Sequence, residues 1–246
     1  MRSSFVSRLA RNIDLTPEER AFAALMEQGE RQVAAKTVLL REGDALEELH
    51  ILRYGWAVVR GRVINGRAPI LRIYLPGEII GLAELGRVKA DHMLQMQTDG
   101  AISTFRRTLI PRLFAEAPRL AALLMALGSL DQIIMRERIA ALSRFDSTAR
   151  LIHFLLLMRD RLANGSGNRS ARFELPFSQP ELADLLGLTP VYVNKVFKRL
   201  REQGRIEVDR RTIRLLDVTG MERQVGYRDL HQALDTSWFP LNEVAE

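Results

Sequence analysis

The chain has 246 residues, of which 47% are hydrophobic and 27% are charged. These values are ordinary for a folded protein of one large or two modest domains, and they exclude disorder as its main state. Cysteine is absent, which excludes disulfides, cysteine-ligated iron–sulfur clusters and thiol redox sensors. Thirty-six Lys and Arg against 30 Asp and Glu give a net charge of +6, so the position of this excess decides whether it indicates a polyanionic partner.

The apolar stretches of the sequence are too short to predict a membrane span, which needs roughly 20 residues. The best of them cover residues 120–130 and 151–158. The N-terminus has a basic residue, Arg2, but no continuous apolar segment follows it, so a secretory signal is not predicted. We therefore expect a cytoplasmic protein with no membrane partner.

The first third of the chain contains a short helix and then a β-rich region. Thr16 and Pro17 predict the helix start, because they suit the N-cap and the first helical position. Short β-rich runs then alternate with glycine-containing turns, and Asn65-Gly66 is a strong hairpin signal. Close spacing of short strands predicts an antiparallel β-sandwich or barrel. The predicted strands are residues 37–40, 49–52, 57–60, 70–75 and 101–105.

A long helix is predicted over residues 118–143. Five apolar residues recur in it at alternating three- and four-residue steps, which is typical of a coiled-coil seam and predicts a homodimer. The alternative is a core helix that lies on its own domain. The predicted seam consists of Leu120, Leu123, Leu127, Leu130 and Ile134.

A second helix is predicted from Asp146 or Ser147 to about Leu162, followed by a polar loop over residues 164–170 and a short strand over residues 172–176. Ser178 and Glu181 then form a capping box that begins another helix.

Gly187 ends that helix, because glycine tolerates the positive φ of a helix end. Thr189 and Pro190 start the next helix, which runs to about Gln203. Two helices joined by a tight glycine turn predict a helix-turn-helix.

The second helix of this motif is predicted to have one buried and one exposed face. Val193, Val196, Phe197 and Leu200 recur at helical spacing and are expected to face inward. After Gly204 the sequence predicts a β-hairpin wing. Residues 195–214 contain eight Lys and Arg against three Asp and Glu, a net +5 of the +6 of the whole chain. A basic cluster of this kind favours binding to the phosphates of DNA.

The order of these parts resembles the cyclic-AMP receptor protein and fumarate–nitrate regulator (CRP/FNR) family. The resemblance covers about residues 28–216 and rests on the turns around Gly43, Gly55 and Gly77 and on the C-terminal motif of residues 179–206. It implies an α+β fold with an N-terminal β-roll of the cyclic-nucleotide-binding type (a jelly roll), a long dimerisation helix and a C-terminal winged helix-turn-helix. It also implies homodimeric transcription regulators, activators among them, that bind two-fold-related DNA half-sites and recruit or block RNA polymerase.

The chain departs from the family at the effector site. Cyclic-nucleotide-binding members carry an Arg-Ser pair for the cyclic phosphate, and the matching positions here are Ala90 and Asp91. A carboxylate repels a phosphate, so the resemblance does not predict a cyclic nucleotide as effector. The cysteine-ligated cluster of the oxygen-sensing branch cannot form. We expect no cofactor and no metal, because the histidines occur singly at His50, His92, His153 and His231; haem, which needs one axial His, stays open as an alternative.

The resemblance also indicates which residues contact DNA. Family members often carry an acidic reader and an arginine at the positions of Val191 and Lys195. The residues expected to read bases are Tyr192, Asn194 and Lys195. The residues expected to contact the DNA backbone are Ser178, Gln179, Thr189, Lys198, Arg199, Arg201, Arg210 and Arg211.

The sequence therefore predicts a dimeric transcription regulator without catalytic activity. Its predicted parts are residues 1–117 (N-terminal helix and sensory β-roll), 118–145 (dimerisation helix), 146–217 (DNA-binding domain) and 218–246 (tail). Short helices are predicted for residues 221–225 and 227–234 of the tail, with docking on the winged domain. The expected partners are double-stranded DNA, RNA polymerase, a second copy and an unknown small-molecule effector. The alternatives are control by a cyclic nucleotide, by haem-bound gas, or by abundance alone.

Overall fold

The structure is a computed structural model that describes residues 4–63, 66, 68–230 and 234–240. It begins with two helices, α1 (Ser4–Leu9) and α2 (Pro17–Met26). The predicted start of α2 is confirmed, because the Thr16 hydroxyl accepts a hydrogen bond from the Glu19 amide at 3.2 Å and the Glu19 carboxylate accepts one from the Thr16 amide at 2.9 Å. The helix α1 was not predicted.

Among the described residues that follow, eight strands form two four-stranded antiparallel sheets, with the orders β1-β8-β3-β6 and β2-β7-β4-β5. The antiparallel prediction is confirmed, and the apolar inner faces of the sheets meet in a core. We call residues 30–106 the roll. Its strands are β1 (Arg31–Val33), β2 (Val38–Leu40), β3 (Glu48–Tyr54), β4 (Ala57–Arg60), β5 (Ile70–Tyr74), β6 (Ile79–Ile80), β7 (Met93–Met96) and β8 (Gly100–Arg106).

Two of the turns predicted in the roll are the turn at Gly55 and the Asn65-Gly66 hairpin turn. Gly55 has φ +88°, and a Cβ there would lie 2.6 Å from the Asp99 carbonyl oxygen, so a larger residue cannot replace it without a backbone shift. The β4–β5 connection joins antiparallel strands, as a hairpin requires, but Asn65 of the predicted Asn-Gly turn lies outside the described residues.

Three helices connect the roll to the C-terminal part: α3 (Leu109–Glu116), α4 (Pro118–Arg144) and α5 (Ser147–Ser166). The prediction missed α3 and ended α5 too early. The last turn of α5 contains Asn164 and Gly165, whose carbonyl oxygens accept hydrogen bonds from Arg11, so this segment is anchored rather than a free polar loop.

Part of the predicted seam of α4 is buried within its own chain in the single subunit. Leu120 and Leu123 are fully buried in a core formed with α1, α2 and α3 of the same chain. Ile134 is buried against α5, while Leu127 and Leu130 pack partly against the same cores. The most apolar face of α4 therefore covers its own chain, which is the alternative that the sequence left open. The physical reason is that burial of this face within one subunit requires no second chain.

By length and composition, α4 is apolar enough to cross a membrane, contrary to the prediction from the sequence. In this structure 44% of the most apolar 18-residue stretch of α4 is buried inside the chain. Core helices of globular proteins meet the same criterion, and packing within the chain covers part of the apolar surface of α4.

We call residues 146–225, from the N-cap of α5 to the end of the last helix, the head. A three-stranded antiparallel sheet of order β10-β11-β9 supports its helices, and the predicted wing is confirmed as the β10–β11 hairpin. After α5 its elements are β9 (Arg172–Glu174), α6 (Gln179–Leu186), α7 (Pro190–Glu202), β10 (Ile206–Asp209), β11 (Thr212–Leu215) and α8 (Val218–Val225).

The tail does not stay on the head as predicted. Tyr227 and Leu230 pack against the core of the head, but Leu234 and Phe239 belong to the second core, which contains residues of α1 to α4 and of the roll, and Phe239 is buried there. Of the predicted helix over residues 227–234, the described residues are not helical and residues 231–233 lie outside the described part.

Candidate nucleic-acid interface

Local capping interactions fix the helix-turn-helix. The Ser178 amide donates to the Glu181 carboxylate at 2.8 Å, and the Ser178 hydroxyl accepts from the Glu181 amide at 3.4 Å, which completes the predicted capping box. Gly187 ends α6 with φ +61°, and the Leu188 amide then bonds to the Ala183 carbonyl at 2.9 Å. Each of these interactions joins residues close in sequence, so sequence patterns alone identify them.

The helix α7 presents one apolar and one polar face, as predicted. Val193, Val196, Phe197 and Leu200 are buried against the rest of the head. Because the helix turns once every 3.6 residues, the side chains between them face solvent. The exposed residues are Val191, Tyr192, Asn194, Lys195, Lys198, Arg199, Arg201 and Glu202.

The three predicted base-reading residues lie together in the first two turns of α7. Tyr192 is 53% exposed, and the ammonium nitrogen of Lys195 lies 5.8 Å from the centroid of its ring. Asn194 lies on the side of α7 that faces the wing. The side chains thus offer a bidentate amide, a cation and an aromatic hydroxyl on one exposed surface, which are groups that read base edges in a major groove.

Five of the predicted contacts line one groove between α6, α7 and the wing. The groove has a volume of about 210 Å³. Its polar lining includes Gln179, Asn194, Arg201, Arg210 and Arg211. A polyanion that follows this groove would meet three guanidinium groups.

The other predicted backbone contacts are exposed, but most already have partners. Lys198 pairs with Glu202 at 3.7 Å on the helix surface. Arg199 donates to the Thr148 hydroxyl at 3.1 Å, so part of its guanidinium ties α7 to α5. The hydroxyls of Ser178 and Thr189 cap their own helices.

The wing tip has an unusual backbone. The loop between the paired residues Asp209 and Thr212 contains only Arg210 and Arg211, and Arg210 has φ +53°. Glycine or asparagine normally occupies such a position, because a side chain there costs about 1 kcal/mol. Strain of this kind concentrates at functional sites, and two adjacent guanidinium groups at the tip suit a phosphate backbone.

Val191, which matches the position of the family's acidic reader, is 76% exposed although it was not among the residues expected to read bases. The helical period gives the signal: Val191 lies two residues before the buried Val193 and therefore on the opposite side of α7. It shares the exposed face with Lys195 and Lys198, which follow it by one and two turns.

The head is docked on the roll through both polar and apolar contacts. Arg60 donates to the Glu181 carboxylate at 2.6 Å, and Gln97 donates to the Pro176 carbonyl at 2.8 Å. Trp56 contacts Phe177 edge to face, with ring centroids 5.7 Å apart. Trp56 is buried at this junction.

The carboxylate of Glu181 is ionised at this junction. Its partial burial opposes ionisation, but hydrogen bonds from Ser178 and Arg60 outweigh that effect and lower its pKa to about 2. The ammonium group of Lys36 lies 3.7 Å away and adds a further positive charge.

The structure places Ala90 and Asp91, which match the family's Arg-Ser pair, in the loop before β7. Ala90 is buried, and Asp91 forms a bidentate pair with the Arg87 guanidinium at 2.9 and 3.1 Å. A carboxylate at this position repels a phosphate. Tyr74 and Met96, both fully buried, fill the space between the sheets of the roll.

Two of the described histidines, His50 and His153, are buried, and His92 is exposed. His50 is buried and hydrogen-bonds Thr104 at 2.8 Å; burial, together with the charge of Arg31, lowers its pKa to about 4. His153 is buried between the rings of Phe145 and Tyr227, and burial lowers its pKa. Among the described residues no group of three candidate metal ligands occurs, and His231 lies outside them.

A β-roll joined by a long helix to an exposed, basic winged helix-turn-helix defines a DNA-binding transcription regulator. Comparison with protein-family models agrees: residues 30–116 match the cyclic nucleotide-binding domain, and residues 149–224 match the Crp-like helix-turn-helix domain. The chain belongs to the CRP/FNR family of transcription regulators.

Curated relatives are regulators of the same kind. The chain is 29% identical over 185 residues to the transcriptional regulatory protein btr of Bordetella pertussis. The aligned residues cover 74% of this chain and 75% of that protein. It is 30% identical over 160 residues to the nitrogen fixation regulation protein FixK of Bradyrhizobium diazoefficiens, which covers 64% and 65%. Among solved structures, FixK2 from Bradyrhizobium japonicum shares the fold with a TM-score of 0.69 at 20% identity, over 79% of this chain and 96% of that one.

Proposed function

We propose that this regulator acts as a homodimer that binds a two-fold-related DNA operator, with one α7 in the major groove of each half-site. The observation that carries the proposal is the exposed face of α7 beside the arginine-tipped wing, because it joins base-reading groups to phosphate-binding groups on one surface. Adjacent half-sites would lie about 34 Å apart, one turn of the duplex. Residues 146–217 would form the DNA-binding domain.

The dimer face that we propose lies on the exposed side of α4. Six residues recur there at the three- and four-residue steps of a coiled coil, rotated by about one residue from the seam predicted from the sequence. Met125, Met135 and Ile139 among them are 57%, 40% and 63% exposed. The proposed seam consists of Met125, Gly128, Gln132, Met135, Ile139 and Leu142.

A groove beside this face supports the proposal. It has a volume of about 540 Å³, lies between α3, α4 and the roll, and includes four of the six seam residues in its lining. Phe114 of α3 is 60% exposed at its edge. Contiguous exposed apolar surface of this kind marks protein interfaces, and the heptad spacing favours a second α4 as its occupant.

Regulation and cellular context are proposed from the family to which the chain belongs. We propose that the protein acts by binding rather than by catalysis, in the cytoplasm, and that RNA polymerase is a partner, since these are the properties of the transcription regulators it resembles. The Arg87–Asp91 pair supports an effector other than a cyclic nucleotide. Such an effector would shift the pose of the heads between existing states.

DNA binding is tested by selecting duplexes from a random pool with the full-length protein and measuring affinity at several salt concentrations. We expect a two-fold-symmetric sequence and an affinity that falls steeply with salt. Lys195→Ala should lose more specific than non-specific affinity. Lys89→Ala, which removes an exposed charge from the roll, is the matched control and should bind like the wild type. Equal losses of specific and non-specific affinity in Lys195→Ala would contradict its role as a base reader.

Dimerisation is tested by sedimentation of Ile139→Arg. Because Ile139 is exposed in the single chain, we expect this variant to fold but to sediment as a monomer. Glu137→Arg places the same side chain on the other side of α4 and should stay dimeric. A dimeric Ile139→Arg variant would exclude the proposed face, and a monomeric wild type at micromolar concentration would exclude the dimer.

A further inference from the structure

An apolar side chain stands at a highly exposed position near the start of α7. Val191 is 76% exposed, whereas valine is usually buried in folded proteins. Thr189 and Pro190 hold it there: the Thr189 hydroxyl accepts from the Tyr192 amide at 3.3 Å, and the ring of Pro190 fixes the first helical φ. With the inner face of α7 locked in the core, rotation of the helix cannot bury Val191.

The surroundings of Val191 indicate what covers it. Lys195 and Lys198 follow it on the exposed face, and Asn194 lies beside them. A surface with two apolar methyl groups inside a cationic rim fits a polyanionic groove whose floor carries an apolar spot. In the major groove of DNA that spot is the C5-methyl group of thymine, the one apolar group that a base edge presents there.

Contact with the DNA backbone does not explain the residue. Valine has neither a hydrogen-bond donor nor a charge to offer a phosphate, whereas the neighbouring Tyr192 has a hydroxyl. A base edge is therefore the part of the duplex that an exposed valine side chain complements.

We propose that Val191 is a specificity-determining residue that contacts the C5-methyl group of one thymine in each operator half-site. The proposal rests on the proposed DNA-binding function and names the base that this site selects. It predicts a thymine at a position where an acidic side chain would select cytosine, whose N4 amino group donates a hydrogen bond.

The test removes only the methyl group. The operator is first selected with the full-length wild type, and each thymine is then replaced in turn by deoxyuridine at symmetric positions of both half-sites. We expect one position at which this change weakens wild-type binding by about three- to tenfold per half-site, the effect of one buried methyl group. In Val191→Ala the same replacement should have little effect, because the contact is already lost.

Val88→Ala is the matched control. Val88 is 80% exposed but lies on the roll, so this variant should keep the wild-type sensitivity to deoxyuridine. Both substituted residues are exposed, so both variants should melt at the wild-type temperature, which shows that they are folded.

Three results would overturn the proposal. The wild type could be insensitive to deoxyuridine at every position, or Val191→Ala could keep full sensitivity at the same position, which would assign the contact to another side chain. Val191→Ala could also bind all operators like the wild type and yet lose transcriptional activity, which would assign Val191 to a protein contact. Failure of the wild type to select any sequence is a different outcome, because it removes the proposed DNA-binding function as well.

Discussion

Arg60 of the roll and Glu181 of the helix-turn-helix form a direct ion pair, with 2.6 Å between Nη2 and Oε1. Glu181 also completes the capping box that starts α6. One carboxylate therefore stabilises the local structure of the head and its position on the roll. The position of the head on the roll therefore depends on this carboxylate.

Loss of the Arg60 side chain should loosen the head. We expect Arg60→Met to lower the free energy of unfolding by about 1–3 kcal/mol, the range for a charge-assisted hydrogen bond. The amides of α6 should also exchange hydrogen faster. Arg62→Met removes the exposed Arg62–Glu42 pair and should change stability by less than about 1 kcal/mol. Equal effects of the two substitutions would show that the Arg60–Glu181 pair does not hold the head.

The stability of the protein should fall at acid pH because of Glu78. Burial opposes its ionisation, but Arg161 and Arg8, at 2.9 and 3.1 Å, outweigh that effect and lower its pKa from 4.5 to about 2. A depressed pKa stabilises the fold above the unfolded value, and the contribution is lost as the pH falls from about 4.5 towards about 2.

Urea unfolding of wild type and Glu78→Gln at pH 7, 4 and 3 measures this contribution. At pH 7 we expect Glu78→Gln to be less stable by about 3–5 kcal/mol, because two buried arginines lose their partner. The difference should shrink on acidification. Glu42→Gln, at an exposed carboxylate, should follow the wild type, and a constant difference for Glu78→Gln would contradict the assignment.

Substitutions of Leu123 and Met125 should affect folding and dimerisation separately. Leu123 is fully buried in its own chain, so Leu123→Ala should lower the free energy of unfolding by about 2–5 kcal/mol without weakening the association of folded subunits. Met125→Ala should do the reverse, since Met125 is exposed in the single chain. Sedimentation and denaturant unfolding measure the two properties, and a dimer weakened mainly by Leu123→Ala would restore the seam predicted from the sequence.

Replacement of Arg210 at the wing tip by glycine should raise the stability of the fold and weaken DNA binding. Arg210→Gly removes the strain of φ +53°, and we expect it to raise the free energy of unfolding by up to about 1 kcal/mol. The same change removes a phosphate contact, so the slope of log affinity against log salt should become shallower by about 1. Arg211→Gly has no such strain to relieve and should lose affinity without gaining stability. An Arg210→Gly variant with unchanged salt dependence would place Arg210 away from the DNA.

Much of the head could be predicted because its signals are local. The caps at Thr189 and Ser178, the stop at Gly187 and the period of α7 each join residues within about four positions, and backbone sterics decide them regardless of the rest of the chain. The two-residue edge strand β6 and the short strand β1 escaped prediction, because pairing with distant partners rather than propensity creates them.

The sequence by itself determined the helix-turn-helix, the wing, the basic surface and the alternation of strands and turns in the roll. Each of these is a short-range pattern or a count of charges. Only the tertiary structure decided which face of α4 covers its own chain, where Phe239 is buried, and that Glu181 meets Arg60 across the junction. The reason is physical. The hydrophobic effect is non-directional, so burial against any apolar surface stabilises an apolar stripe. A stripe such as that of Leu120 and Leu123 therefore predicts that this face is covered, but it does not identify the surface that covers it.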